Sequence, residues 1–93
     1  MEPVTVLEFW SDYGGGPLWT SDGKLADLGA LPLGDDLRRR LMDWNADYTE
    51  ERIPVEGPGD PDWLRQGTLL HNSVRRALGP GHRVVVTESW WGE

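Results

Sequence analysis

Val4-Thr5-Val6-Leu7-Glu8-Phe9-Trp10, near the start of the chain, is matched near its end by Val84-Val85-Val86-Thr87-Glu88-Ser89-Trp90. Both stretches read V-x-V-x-E-x-W, and the first alternates with the period of two that marks a strand. In it Val4, Val6, Glu8 and Trp10 point one way, and Thr5, Leu7 and Phe9 the other. Apolar groups on both sides predict a central strand, or one covered on both faces. The match predicts that each strand carries its Glu and Trp on the face that bears its valines. It is not an internal repeat, because the segments between the two strands are not themselves repeated.

Those intervening segments read as helices. Gly34 is placed to cap the first, with Asp35 and Asp36 in the first turn, where the helix dipole favours negative charge. Leu33, Leu37, Leu41, Trp44 and Tyr48 recur at helical spacing and form one apolar stripe. Pro54 and Gly57-Pro58-Gly59 break the chain after it. A second helix starts at Asp60-Pro61-Asp62, an N-cap followed by proline at the first helical position. Its buried face is Trp63, Gly67, Leu70, Val74 and Ala77-Leu78, and Gly79-Pro80-Gly81 stops it. Ahead of both helices, Ser21-Asp22-Gly23 is a turn signal between Pro17–Thr20 and Lys24–Leu28, which predicts a short irregular hairpin. The expected fold is α+β, a small β-sheet formed by N- and C-terminal strands packed against two helices.

Ninety-three residues make a single domain, 1–93, because two cores of that size would each be too small to stand alone. The absence of cysteine excludes disulfides, thiolate nucleophiles and cysteine-based zinc sites. No basic, apolar leader opens the chain, and no apolar run approaches the roughly 20 residues of a membrane span. The expectation is a soluble cytoplasmic protein. A net charge of −7 repels phosphate, and Arg38-Arg39-Arg40 and Arg75-Arg76 sit on helices where successive residues diverge by about 100°. They make no basic stripe, so neither nucleic acid nor membrane is expected as a partner, and a basic protein is.

Pro17-Leu18-Trp19, then Leu31-Pro32-Leu33, Leu37, Leu41, Trp44 and Tyr48, followed by Leu78-Gly79 before a valine-rich strand, carry a resemblance. The chain resembles small, functionally uncharacterised bacterial proteins that share a PLW…LPL…L…L…W…Y arrangement. The resemblance implies a compact α+β fold in a bacterial cytoplasm and carries no activity and no catalytic residue.

Candidate chemistry is thin. Gly14-Gly15-Gly16 and Gly23-Lys24 fail the phosphate-loop pattern, with Leu18 and Leu25 at required positions. Four serines and two histidines supply the parts of a hydrolytic triad, but none lies in a G-x-S-x-G elbow. His71 falls beside the Leu70 and Val74 stripe and reads as a boundary histidine packing on the sheet, and His82 reads as solvated. Asp60-Pro61-Asp62 is explained by capping, so neither metal nor cofactor is called for.

Two clusters remain. Asp43, Asp47, Glu50 and Glu51 fall within about 100° on the first helix, with Arg39 spaced to pair with Asp43. That spacing reads first as a solvated, partly paired face; read instead as an acidic docking face, they join Trp19, Trp90 and Trp91 as aromatic anchors, and Leu69, which projects opposite its helix's core stripe. The second cluster is a candidate ligand cleft of Glu8, Trp10, Asp12, Tyr13 and Glu88. If the terminal strands are parallel neighbours, Glu8 and Glu88 converge there and could split their pKa values as acid and base.

The favoured expectation is a non-enzymatic acidic interaction module, monomeric or weakly dimeric, of an immunity or inhibitory type acting on a basic protein. The alternatives are a small-ligand-binding protein with a tryptophan-lined cleft and a small enzyme using Glu8 and Glu88.

Overall fold

A computed structural model describes residues 4–13, 15–55 and 57–86. Three strands form one sheet in the order β2-β1-β3: β1 (Thr5–Phe9), β2 (Leu18–Thr20) and β3 (His82–Val86). β1 is central, antiparallel to β2 and parallel to β3, so the crossover between β1 and β3 contains everything else. That crossover includes two helices, α1 (Asp35–Ala46) and α2 (Pro61–Leu78). The architecture is α+β with the terminal strands in one sheet, as the sequence predicts.

The helices cover one face of the sheet only. Leu7 and Phe9 are buried, Phe9 stacking on Trp44 of α1 at 5.6 Å and tilting against His71 of α2 at 5.3 Å. Val4 and Val6, on the other face, are 51% and 37% exposed. Of the two alternatives read from the sequence, a central strand or one covered on both faces, the first holds: β1 is central, and the helices leave its outer face uncovered. In the first V-x-V-x-E-x-W stretch Val6 and Glu8 share the face opposite Leu7 and Phe9, as expected, whereas Glu88 and Trp90 of the second lie outside the described residues. The register sets Leu7 opposite Val84 and Glu8 opposite Val85. Relative to the sequence match this is a shift of three, an odd number, and an odd shift reverses faces. Val84 thus joins the core while Val4 and Val6 look outward.

The core unites Leu7, Phe9, Leu18 and Val84 with Leu33, Leu37, Leu41 and Trp44, and with Trp63, Leu70, Val74 and Leu78. Both predicted helical stripes are buried except at their ends: Tyr48 lies beyond α1 and is half-buried, and Ala77 is exposed one residue before α2 ends. Gly34 caps α1 with φ 85°, a conformation open to glycine and strained for a side chain. Asp60 caps α2 by accepting from Asp62 N at 3.1 Å and Trp63 N at 3.2 Å. Its other carboxylate oxygen takes Arg52 Nη1 at 2.7 Å, which ties the preceding loop to the cap. Gly79 ends α2 with φ 70°.

The helices are clasped where α1 ends and α2 begins. Trp44 Nε1 donates to Trp63 O at 3.0 Å, and Trp63 Nε1 donates to Trp44 O at 3.2 Å. The two indoles stack at 4.3 Å with 13° between planes. Both N–H groups are thereby satisfied inside the core, which lets two large amphipathic rings be buried at once. The predicted hairpin also forms: Thr20 N donates to Lys24 O at 2.8 Å and Ala26 N to Leu18 O at 3.0 Å.

Candidate functional site

α1 ends at Ala46, so the four acidic residues assigned to it do not share one helix face. Asp47 is the C-cap, and Glu50 and Glu51 lie in a separate 3-10 turn, Glu50–Arg52. Carboxylates oppose the negative carbonyl end of a helix, and no cation occupies the last turn of α1 to offset them. Tyr48 then leaves the helix line to pack edge-on against Tyr13 at 4.8 Å and tilted against Trp63 at 5.9 Å.

The expected site residues consequently fall into four groups. Asp43 and Asp47 meet Leu69 across a groove of about 330 Å³ between α1 and α2, whose lining also includes Arg40, Gln66 and Ser73, with Trp44 and Leu70. Glu50 and Glu51 line a different groove with Tyr13 and Tyr48. Glu8, Trp10 and Trp19 lie on the open face of the sheet. Asp12 belongs to a tight turn, bridged to Gly15, and lines a third groove with Tyr13, Leu25 and Met42. The expected ligand cleft is therefore divided. Glu88, Trp90 and Trp91 lie outside the described residues.

The charge at the α1–α2 groove is set by the ion pairs of α1. Arg38 pairs with Asp35 at 2.7 Å, Arg39 with Asp36 at 3.2 Å and Arg40 with Asp36 at 3.3 Å. The expected Arg39–Asp43 pair does not form, because Asp36 one turn earlier, nearer the positive end of the helix, draws both arginines. Asp43 and Asp47 have no ion pair among the described residues, and Leu69 beside them is 59% exposed. Gln66 and Ser73, at helical spacing from Leu69 on α2, complete the groove's second wall, and the sequence singles out only Leu69 of the three.

On the open sheet face the polar atoms are already engaged. Trp10 Nε1 donates to Glu8 Oε1 at 3.1 Å, and Trp19 Nε1 donates to Trp10 O at 2.9 Å. The two rings stack at 4.1 Å, only 7° from parallel. Trp19 is thus a half-buried partner of Trp10 rather than a free anchor. β1 and β3 are parallel neighbours, as the paired-glutamate idea required, but the residue opposite Glu8 is Val85.

His71 is buried, deeper than a boundary position, with its ring against Phe9. His82, expected to be solvated, is half-buried, and its Nδ1 is shielded without a hydrogen-bond partner among the described residues. Burial, then the carboxylates of Asp12 and Glu50 and the phenol of Tyr13, raise the Tyr48 phenol above the ordinary tyrosine pKa of 10.0. Among the described residues no three His, Asp or Glu side chains are grouped to hold a metal ion, and no helix is long and apolar enough to cross a membrane. Compared with protein-family models and with curated proteins, the chain matches none.

Proposed function

We propose that the chain is a non-enzymatic interaction module that docks a basic protein in the acidic groove between α1 and α2. An inhibitory or immunity-type role is the concrete form of this reading, with the chain acting as a monomer or weak dimer in a bacterial cytoplasm. The observation that carries it is the ion-pairing pattern of α1. Asp35 and Asp36 draw all three arginines into ion pairs, and Asp43 and Asp47 form none among the described residues, on the rim of a groove that Arg40 also lines beside an exposed leucine. Opposite charge accelerates encounter, and burying Leu69 adds an apolar contribution of about 1 kcal/mol. The net charge of −7 acts in the same direction at longer range.

The alternatives have less support. A tryptophan-lined ligand site needs unspent polar groups to orient its ligand. Here Glu8 and both indole N–H groups bond within the cluster itself.

The test uses the basic protein that tagged wild type captures from lysate of the source cells. Replacing Asp43 and Asp47 together by lysine should slow association about tenfold at low salt and much less at high salt. Leu69→Ala should instead speed dissociation. An association rate unchanged by the double charge reversal at low salt would refute the proposal, provided circular dichroism shows the variant folded.

A further inference from the structure

The chain carries nine lysines and arginines, and six of them form ion pairs: Lys24, Arg38, Arg39, Arg40, Arg52 and Arg65. The remaining three, Arg75, Arg76 and Arg83, form none among the described residues. All three line one groove of about 860 Å³ between the last turns of α2 and β3. Arg76 makes only a long contact, Nη2 to Ser73 Oγ at 3.5 Å. The local sequence explains the vacancy of partners on the helix: positions 71–73 and 78–80, three to five residues from Arg75 or Arg76, hold no acid. No acidic residue lines the groove among the described residues. Among the described residues, the cations without an ion pair are therefore gathered in one place.

A second observation comes from the backbone. β3 is an edge strand, paired with β1 on one side and with no strand on the other among the described residues. Its N–H and C=O groups on that side form a template for another strand. The side chains of β3 alternate about this edge. Val84 faces the helices opposite Leu7, whereas Arg83 lies opposite the outward-facing Val6. Arg75 and Arg76 stand on the helix side of the edge and Arg83 on the open side, so a strand added there would meet arginine from both of its faces.

We propose that the free edge of β3, with Arg75, Arg76 and Arg83, is a second docking site that takes an extended acidic peptide segment of a partner protein by strand addition. Backbone bonds along β3 supply affinity, and carboxylates alternating on the added strand select for the three guanidinium groups. The site is independent of the α1–α2 groove, opposite to it in charge, and does not depend on that reading. The edge also favours peptide over nucleic acid, which would use the arginines and leave the backbone template unused.

The experiment measures binding of a labelled synthetic peptide of about eight residues, alternating glutamate and valine, to the full chain by fluorescence anisotropy. The peptide is expected to bind at low salt, and its lysine counterpart is not. Arg75→Gln, Arg76→Gln and Arg83→Gln should each weaken binding about two- to fivefold, the range of exposed charge pairs. N-methylation of alternate residues of the probe should weaken it at least tenfold by removing the ladder donors. This last comparison uses wild-type protein, so no variant's folding enters it. Equal binding of the N-methylated peptide would overturn strand addition. Failure of the acidic peptide to bind, unchanged affinity in a folded triple glutamine variant, or tighter binding of a single-stranded oligonucleotide would overturn the assignment of the occupant.

Discussion

The reciprocal tryptophan clasp lends itself to a quantitative test, because its hydrogen bonds and its ring stack can be removed separately. Each indole N–H donates to the other residue's main-chain carbonyl, so either bond survives substitution of the partner's side chain. The stack at 4.3 Å is shared, and either substitution destroys it. Trp63→Phe keeps an aromatic face against Trp44 and loses one N–H. The lost bond costs about 1 kcal/mol net, and the smaller ring adds a transfer and cavity cost of about 1 kcal/mol. Trp63→Leu also loses the stack, worth about 0.5–1.5 kcal/mol, for a total near 3 kcal/mol.

The same total is expected for Trp44→Leu. The double variant should then cost about 5 kcal/mol rather than 6, since the stack is lost only once. That approaches the lower end of the stability of a domain this size, about 5 kcal/mol, so all four proteins are compared in the same stabilising osmolyte. Urea unfolding followed by far-ultraviolet circular dichroism is the assay, because indole emission changes with the substitutions themselves. Additivity of the two leucine variants within about 0.3 kcal/mol would show that the rings do not support one another and would refute the clasp.

Three further outcomes follow from the geometry. Gly16 has φ +104°, and a Cβ there would lie 2.8 Å from Trp10 O and 3.0 Å from Asn45 Oδ1, so Gly16→Ala should cost about 2 kcal/mol or more in urea unfolding. Asp60→Ala removes both cap bonds of α2 and the Arg52 pair, and should cost about 1–2 kcal/mol, read as a lower thermal midpoint. Tyr48 has its phenol pKa raised in the folded chain by burial and by nearby negative charge. Its contribution is fully present below the unfolded value near 10, and is lost as pH rises through the folded value. Tyr48→Phe should therefore leave stability unchanged at neutral pH and flatten the alkaline decline; an unaltered decline would contradict the assignment.

The sequence located the helices because their signals are local. Asp60-Pro61 and Gly79-Pro80 act on the backbone within one turn, and the stripe from Leu33 to Trp44 needs only the helical period. The faces of the sheet were not legible in the same way. Whether Val4 and Val6 are covered depends on how many layers the remaining chain supplies, and the register that sets Leu7 opposite Val84 joins residues at the two ends of the crossover, beyond the reach of any local signal. The candidate sites show the same division. Arg39 has acids in both directions along its helix, and only the three-dimensional arrangement shows that Asp36 takes it and Asp43 is left. Arg83 lies seven residues beyond Arg76, and the Gly79-Pro80-Gly81 reversal brings it back beside the helix. Pairwise spacing along a helix could not show that approach.

Site-specific photo-crosslinking in the source cells tests the central claim most directly. A photoreactive residue at Leu69, in the wall of the acidic groove, is compared with one at Ser21, in the exposed hairpin turn. The account predicts a crosslink to a basic protein from position 69, absent from position 21, and lost when Asp43 and Asp47 are replaced by lysine. No product from position 69, or equal products from both positions, would contradict it.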